Sequence, residues 1–502
     1  MIPEDIIFRK MYKTIVFLGL ILPCLSMAPN GVKFDRFFSD QTLRIDYFHT
    51  GNATEEYFAP DKMYLQGQWA GNPDRCNQPP GLGVYFARVY DLASNKLIFS
   101  TGYSTIFSEY QTTGEAKDGK MRTYHETVLI PHPKNPFLFV IEKRDKYNLL
   151  IPVYKLKIEP DDYHIVTESF KRSADVIYPI VKNGDPHHKV DLVIIGDGYS
   201  LSEQDTFKKD LEYYSGVFFK VEPYKSHKKE FNITGIFSPS DESGVDEPRQ
   251  GIYKNTALNC SFNIFDTDRY LLIDDNKTLR NIAAQVPYDL VLIMVNRNRY
   301  GGGGIYKWQS VFTAGSPYRD YVFLHEFGHA FAGLGDEYYT SDVSYEDFYP
   351  QGIEPLDPNV TALLDPANLK WKDLISPGIE IPTRWDKQVF DSLNNTYFDI
   401  IGEKKAKIKE LTDAGATQEN LKDTENIYDK KLAELRTKTD SFIFNHPLKD
   451  KVGAFEGAGY QSTGLYRPTV NSLMHRFDKN NISYGRVNER AITEMIKYYT
   501  GK

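Results

Sequence analysis

At 502 residues, 41% of them hydrophobic and 25% charged, the chain has the make-up of roughly two to four folded domains, which excludes a disordered or fibrous protein. Its formal charge of −8, with no basic run above background, excludes the positive footprint that binding to nucleic acid requires. Three cysteines are too few for a disulfide scaffold or a thiolate-rich zinc knuckle.

The first element is an apolar run of 13 residues, Thr14 to Ser26, preceded by Arg9, Lys10 and Lys13. It is broken by Pro23 and falls short of the about 20 residues a membrane span needs. With small residues at Ser26 and Ala28 it has the layout of a secretory signal over residues 1–28, so the mature chain is expected to be exported: periplasmic, cell-surface or extracellular. No transmembrane segment is expected in what remains. Whether Cys76 and Cys260 pair is left open by the sequence.

Short strands are expected over residues 29–162. Thr42 to Phe48, Gly83 to Leu92, Lys96 to Ser100, Glu126 to Pro131 and Phe137 to Glu142 alternate or run apolar between Gly, Pro and Asn turns. That spacing predicts an antiparallel β-sandwich. Residues 163–189 read as a linker. From Asp191 the pattern changes: a buried strand ends at Gly196-Asp197-Gly198, and Ser200 with Glu203 forms a capping box for a helix reaching Phe218. Strands follow at Phe231 to Phe237 and Leu290 to Val295, with a short helix near Thr278 to Ala284, giving an α/β domain over 190–502. Leu201 stands where a dinucleotide-binding loop needs its third glycine, so that reading is set aside. Residues 402–441, rich in Lys, Glu and Ala with a break at Asp413-Ala414-Gly415, predict an inserted antiparallel helical hairpin, most simply a solvated one. The fold class is thus a multidomain α+β protein.

The stretch Tyr321 to Tyr339 carries the chemistry. His325 and His329, four apart on an apolar helix, project from one face and can grip one ion. Glu326, about 100° further round, reaches a water beside that ion without being a ligand. Gly333 ends the helix and Gly335 turns the chain back, which brings Asp336 or Glu337 within reach as a third ligand. About 140 residues downstream, Met474 lies in a tight turn within YRPTVNSLMH (Tyr466 to His475).

Together HEFGHAFAGLGDEYY, RYGGGGIY (Arg299 to Tyr306), DLVIIGDGYS, FSPSDESGVDEP (Phe237 to Pro248) and GLYRPTVNSLM resemble the immunoglobulin A peptidase family of metallo-endopeptidases. TLRIDYFHTGN, Trp69-Ala70-Gly71 and FSEYQTT (Phe107 to Thr113) resemble that family's N-terminal β domain. The likeness runs from about Phe34 to the C-terminus, apart from the hairpin. It implies a metzincin-like α/β domain over 190–502, with Zn²⁺ held by His325, His329 and Asp336, Glu326 as the catalytic base and Met474 as the Met-turn under the metal. The usual metzincin spacing puts the third ligand at Gly335, one residue earlier than Asp336, so Asp336 rests on the turn and on the likeness. Arg476 stands where many metzincins carry a tyrosine. Tyr338, Tyr339, Tyr466 and His475 are the candidates for contacting the oxyanion or substrate, with packing as the competing role of each.

The expected function is a secreted zinc metallo-endopeptidase acting on protein or peptide substrates, with immunoglobulin A the activity that names the family. Two other classes compete with it: an exported glycan- or protein-binding protein with an inert zinc domain, and a zinc hydrolase of small amides. The intact Glu326 argues against the first.

Overall fold

The computed structural model describes residues 31–167, 170–339, 348–477 and 482–502; the leader expected over 1–28 lies outside them. Its N-terminal part is two four-stranded sheets packed face to face. One has β1 (Phe38–Gly51), β2 (Glu56–Leu65), β5 (Arg122–Pro133) and β8 (Ile165–Val166); the other has β3 (Tyr85–Asp91), β4 (Lys96–Tyr103), β6 (Phe137–Arg144) and β7 (Leu150–Ile158). Pairings are antiparallel except for β2 with β8. Leu43, Ile45 and Val128 of one sheet meet Val89, Phe139 and Ile141 of the other in a shared core, so period-2 alternation turns alternate side chains inward.

The second part is built on a six-stranded sheet. It contains β9 (Val176–Val181), β10 (Val190–Asp197), β11 (Phe231–Phe237), β14 (Leu290–Val295), β15 (Gly302–Ile305) and β16 (Gln309–Thr313), in the order β15-β16-β14-β10-β11-β9. The four central strands are parallel and the two edges antiparallel. Two-residue strands β12 (Cys260–Ser261) and β13 (Leu272–Ile273) pair in a long connection, and β17 (Phe455–Ala458) with β18 (Gln461–Arg467) form a separate ribbon. Both sheet faces are covered, which is why β10 and β14 are buried along their whole length. Leu192, Ile194 and Leu292 pack on one face with helices Gln204–Phe218, Arg319–Ala332 and Arg486–Thr500. Val193, Ile195 and Ile293 pack on the other face with helix Asn276–Ala283. Among the described residues no helix is long and apolar enough to cross a membrane.

Three differences from the sequence reading have plain causes. Residues 176–181, assigned to a linker, form edge strand β9; Pro179 is tolerated there because an edge strand leaves one side of its backbone unpaired. The hairpin is longer than 402–441: its helices span Lys387–Asp413 and Gln418–Asn445, joined at Gly415 with φ +72°. The extension escapes the Lys/Glu pattern because its base is buried, Phe390 packing with Tyr339, Ile443 and Phe455. Cys76 and Cys260 do not pair; both are free and buried.

Candidate metal centre

Helix Arg319–Ala332 lies on the edge of the sheet, and glycines allow the contact. A Cβ on Gly304 would stand 2.3 Å from the Glu326 carbonyl oxygen, and one on Gly302 2.7 Å from Val322. Gly302 and Gly304 therefore let β15 lie directly against the turn that carries Glu326. The helix stops at Gly333, whose φ of +60° is the left-handed cap that glycine adopts without strain. The reversed chain is clamped by Asn359, whose side chain accepts from Gly335 N (2.7 Å) and donates to Gly335 O (2.9 Å).

This turn delivers Asp336, not Glu337, to the two histidines. Asp336 Oδ1 lies 3.0 Å from His325 Nε2 and 3.3 Å from His329 Nε2, and the two Nε2 atoms are 3.1 Å apart. Each imidazole is oriented through its other nitrogen. His325 Nδ1 donates to the Leu473 carbonyl at 3.1 Å and His329 Nδ1 to the Leu334 carbonyl at 2.5 Å. With Nδ1 donating to a carbonyl, Nε2 is in each ring the nitrogen turned toward the carboxylate, protonated against Asp336 or, once that proton leaves, a ligand nitrogen. Burial alone would lower His329, but the Asp336 charge outweighs it and holds the imidazole at about 9. Burial acts to raise Asp336, yet the two histidines keep its carboxyl well below the usual range.

The three residues fit a divalent cation on their own chemistry. Asp336 Oδ1 is buried with no hydrogen-bond partner, the lone pairs converge, and spacings of 3.0–3.3 Å approach the about 3.4 Å edge of a tetrahedron with ~2.1 Å bonds. The other Asp336 oxygen is held by the Tyr460 hydroxyl. Glu337 points away into a buried polar cluster, accepting from Asn359 (3.0 Å), Ser472 (2.7 Å) and Asn488 (2.8 Å). Its role is to tie the loop, the Met474 turn and the C-terminal helix together, and its backbone N–H also donates to the Met474 carbonyl at 2.9 Å. Met474 is buried beneath the helix, its Sδ 3.0 Å from where a Cβ on Gly328 would stand.

A cavity of about 470 Å³ opens over this centre, lined by His325, Glu326, His329 and Asp336 and by the length of β15. Glu326 is not part of the ligand triangle; burial raises its carboxyl from the ordinary value, with the flanking histidines opposing. The sandwich supplies the facing wall through Ser108, Glu109 and Arg144, and Glu109 accepts a hydrogen bond from Tyr270.

The candidates for oxyanion contact separate cleanly. Tyr338 lines the cavity, stacks on His325 at 6.2 Å between centroids, and accepts from Arg269 Nη2 at 3.2 Å. Burial, then the Asp336 charge, raises its hydroxyl well above the ordinary value, so it stays a donor. Tyr339 is packing: its hydroxyl bonds Asp391 and its ring sits in the core under the hairpin. Tyr466 is not in the cavity wall; it pairs through its backbone with Thr361 on the β17–β18 ribbon. His475 lines a second, adjoining cavity and packs on Phe390 at 5.5 Å. Arg476 is ion-paired with Asp440 at 2.5 Å.

Arg269, Tyr460 and Asn359 carry no signal in the sequence. None sits in a motif, and each acts across 24 to 124 residues of intervening chain. A second cluster that could hold a cation, Asp46, Asp61 and His125, is already neutralised by Arg44 on Asp46 and Lys277 on Asp61.

Two family profiles match the chain: IgA Peptidase M64 over residues 178–496, and Peptidase M64 N-terminus over residues 33–155. No curated protein matches it.

Proposed function

The chain belongs to the M64 family of immunoglobulin A peptidases, which are metallopeptidases, and from that premise we propose that it is an exported zinc endopeptidase acting on proteins. The observation that carries the proposal is the convergence of His325, His329 and Asp336 beside a buried Glu326 that takes no part in their cluster. The export reading rests on the Thr14 to Ser26 run and its basic approach.

His325, His329 and Asp336 would hold the zinc ion, which would supply Lewis acidity toward a carbonyl oxygen and a water beside it. Everything else is work for the chain's own groups. Edge strand β15 is already bonded at Gly302 to Arg269 and Leu271, which leaves its cavity-lining stretch at Gly304 to hold an extended peptide by strand addition, an arrangement that favours endoproteolysis over attack on small amides. Glu326 receives a proton from the attacking water and returns it to the departing amine; its burial makes it a stronger base than an exposed carboxylate. The Tyr338 hydroxyl, already accepting from Arg269, has its own proton left for the carbonyl oxygen as negative charge grows there. Tyr338→Phe is expected to lower kcat by about 10²-fold or more with little change in KM, the signature of a donor used mainly in the transition state. A KM effect without a kcat effect would assign Tyr338 to ground-state binding instead.

The function itself is tested on an unfolded casein-type substrate. Internal cleavage should stop on treatment with a zinc chelator and return on adding zinc. Turnover confined to blocked dipeptides, or indifferent to chelation, would contradict the reading.

A further inference from the structure

The second cavity, about 510 Å³, adjoins the first at His325, Arg269 and Tyr338, which line both. Its outer wall is the helical hairpin. Asn394, Tyr397 and Phe398 face it from the first helix and Arg436 and Thr439 from the second, at the three- and four-residue spacings that put side chains on one helix face. The hairpin that reads from sequence as a solvated surface feature therefore builds part of the cleft beside the metal ligands.

The two cavities have opposite electrostatics. Among the described residues, the first is lined by six carboxylate side chains and two arginines. The second is lined by three arginines, Arg269, Arg436 and Arg476, and by no carboxylate, in a chain of net charge −8. Arg476 is neutralised by Asp440 at 2.5 Å. Arg436 makes no direct ion pair: its guanidinium donates to the hydroxyl of neutral Tyr318 at 2.7 Å and lies 5.3 Å from the centre of that ring, and Asp440, already bonded to Arg476, acts on it only through its charge. Tyr318 and Tyr397 form an aromatic approach to a planar cation whose remaining N–H groups can take a carboxylate side-on.

We propose that the hairpin cavity is the pocket for the substrate residue flanking the scissile bond, and that Arg436 makes it selective for an acidic side chain, Asp or Glu. The inference rests on the peptidase reading above. It makes the hairpin a specificity element.

The test uses the full-length zinc-loaded protein. A proteome-derived peptide library should show Asp and Glu enriched at one position next to the cleaved bond. Blocked peptides carrying Glu, Gln or Lys there should then differ, with Glu favoured over Lys by about 10- to 100-fold in kcat/KM. Arg436→Gln should collapse that ratio and Arg436→Glu should reverse it; thermal melts of both establish folding. Binding of the Glu peptide to Glu326→Gln protein, followed by fluorescence anisotropy, should weaken in Arg436→Gln/Glu326→Gln and with added salt. A wild-type ratio retained by folded Arg436→Glu would overturn the proposal, as would a preference satisfied only by a free C-terminal carboxylate. If no peptide is cut by the wild type while anisotropy still reads Arg436-dependent binding, the peptidase reading fails and the arginine-lined, acid-selective pocket stands.

Discussion

Replacing Glu326 by glutamine is expected to lower kcat on a protein substrate by about 10²–10⁴-fold while leaving bound metal and melting temperature unchanged. Glutamine has nearly the same shape, so the close contact between β15 and the helix survives; Gly302 and Gly304, which make that contact possible, are untouched. What is lost is the ability to take a proton and return it. Because Glu326 stands outside the cluster of Asp336 with the two histidines, metal content should not change with activity. Steady-state kinetics beside elemental analysis checks both halves. Loss of the metal in this variant would make Glu326 a ligand and overturn its assignment as a base.

Adjacent carboxylates should fail in opposite ways. Asp336→Ala is expected to weaken zinc binding by more than the about 100-fold typical of losing a supporting contact, with activity falling in step, since it removes one of three converging donors. Folding without metal should also weaken, because the buried histidines lose the Asp336 charge and the Tyr460 hydroxyl its acceptor, so zinc affinity is the readout that sets this variant apart. Glu337→Ala is expected to cost about 3 kcal/mol or more of stability, because Asn359, Ser472 and Asn488 would be left as buried donors facing a cavity. Denaturant midpoints and zinc titration of the two variants separate the cases. Equal zinc loss with unchanged midpoints in both would mean that the loop presents either carboxylate to the ion.

This pair shows where the sequence stops being readable. His325, Glu326 and His329 are legible because helical periodicity fixes their relative directions within one turn. Asp336 and Glu337 differ by a single step along a non-helical loop. Which one faces inward is decided by Asn359, Ser472 and Asn488, 22 to 151 residues away. Arg269 is hidden for the same reason: a long connection with only two-residue strands and single 3-10 turns for regular structure brings it to Tyr338. The strand at Leu290–Val295 is readable from its continuous apolar run, and that at Phe231–Phe237 from apolar residues interrupted only by Asn232, Thr234 and Gly235. The β9 strand is not, since Pro179 and the flanking polar residues give it the composition of a loop. In the hairpin, the solvated tip declares itself by Lys and Glu, whereas the base, which does the packing and lines the second cavity, carries Phe390, Tyr397 and Phe398.

The position of the metal decides the chemistry of this centre. Crystals of the zinc-loaded protein, measured at the zinc absorption edge, should give one strong anomalous peak about 2.0–2.2 Å from His325 Nε2, His329 Nε2 and an Asp336 oxygen. A peak coordinated by Glu337 or Glu326, or none at this centre in active protein, would contradict it.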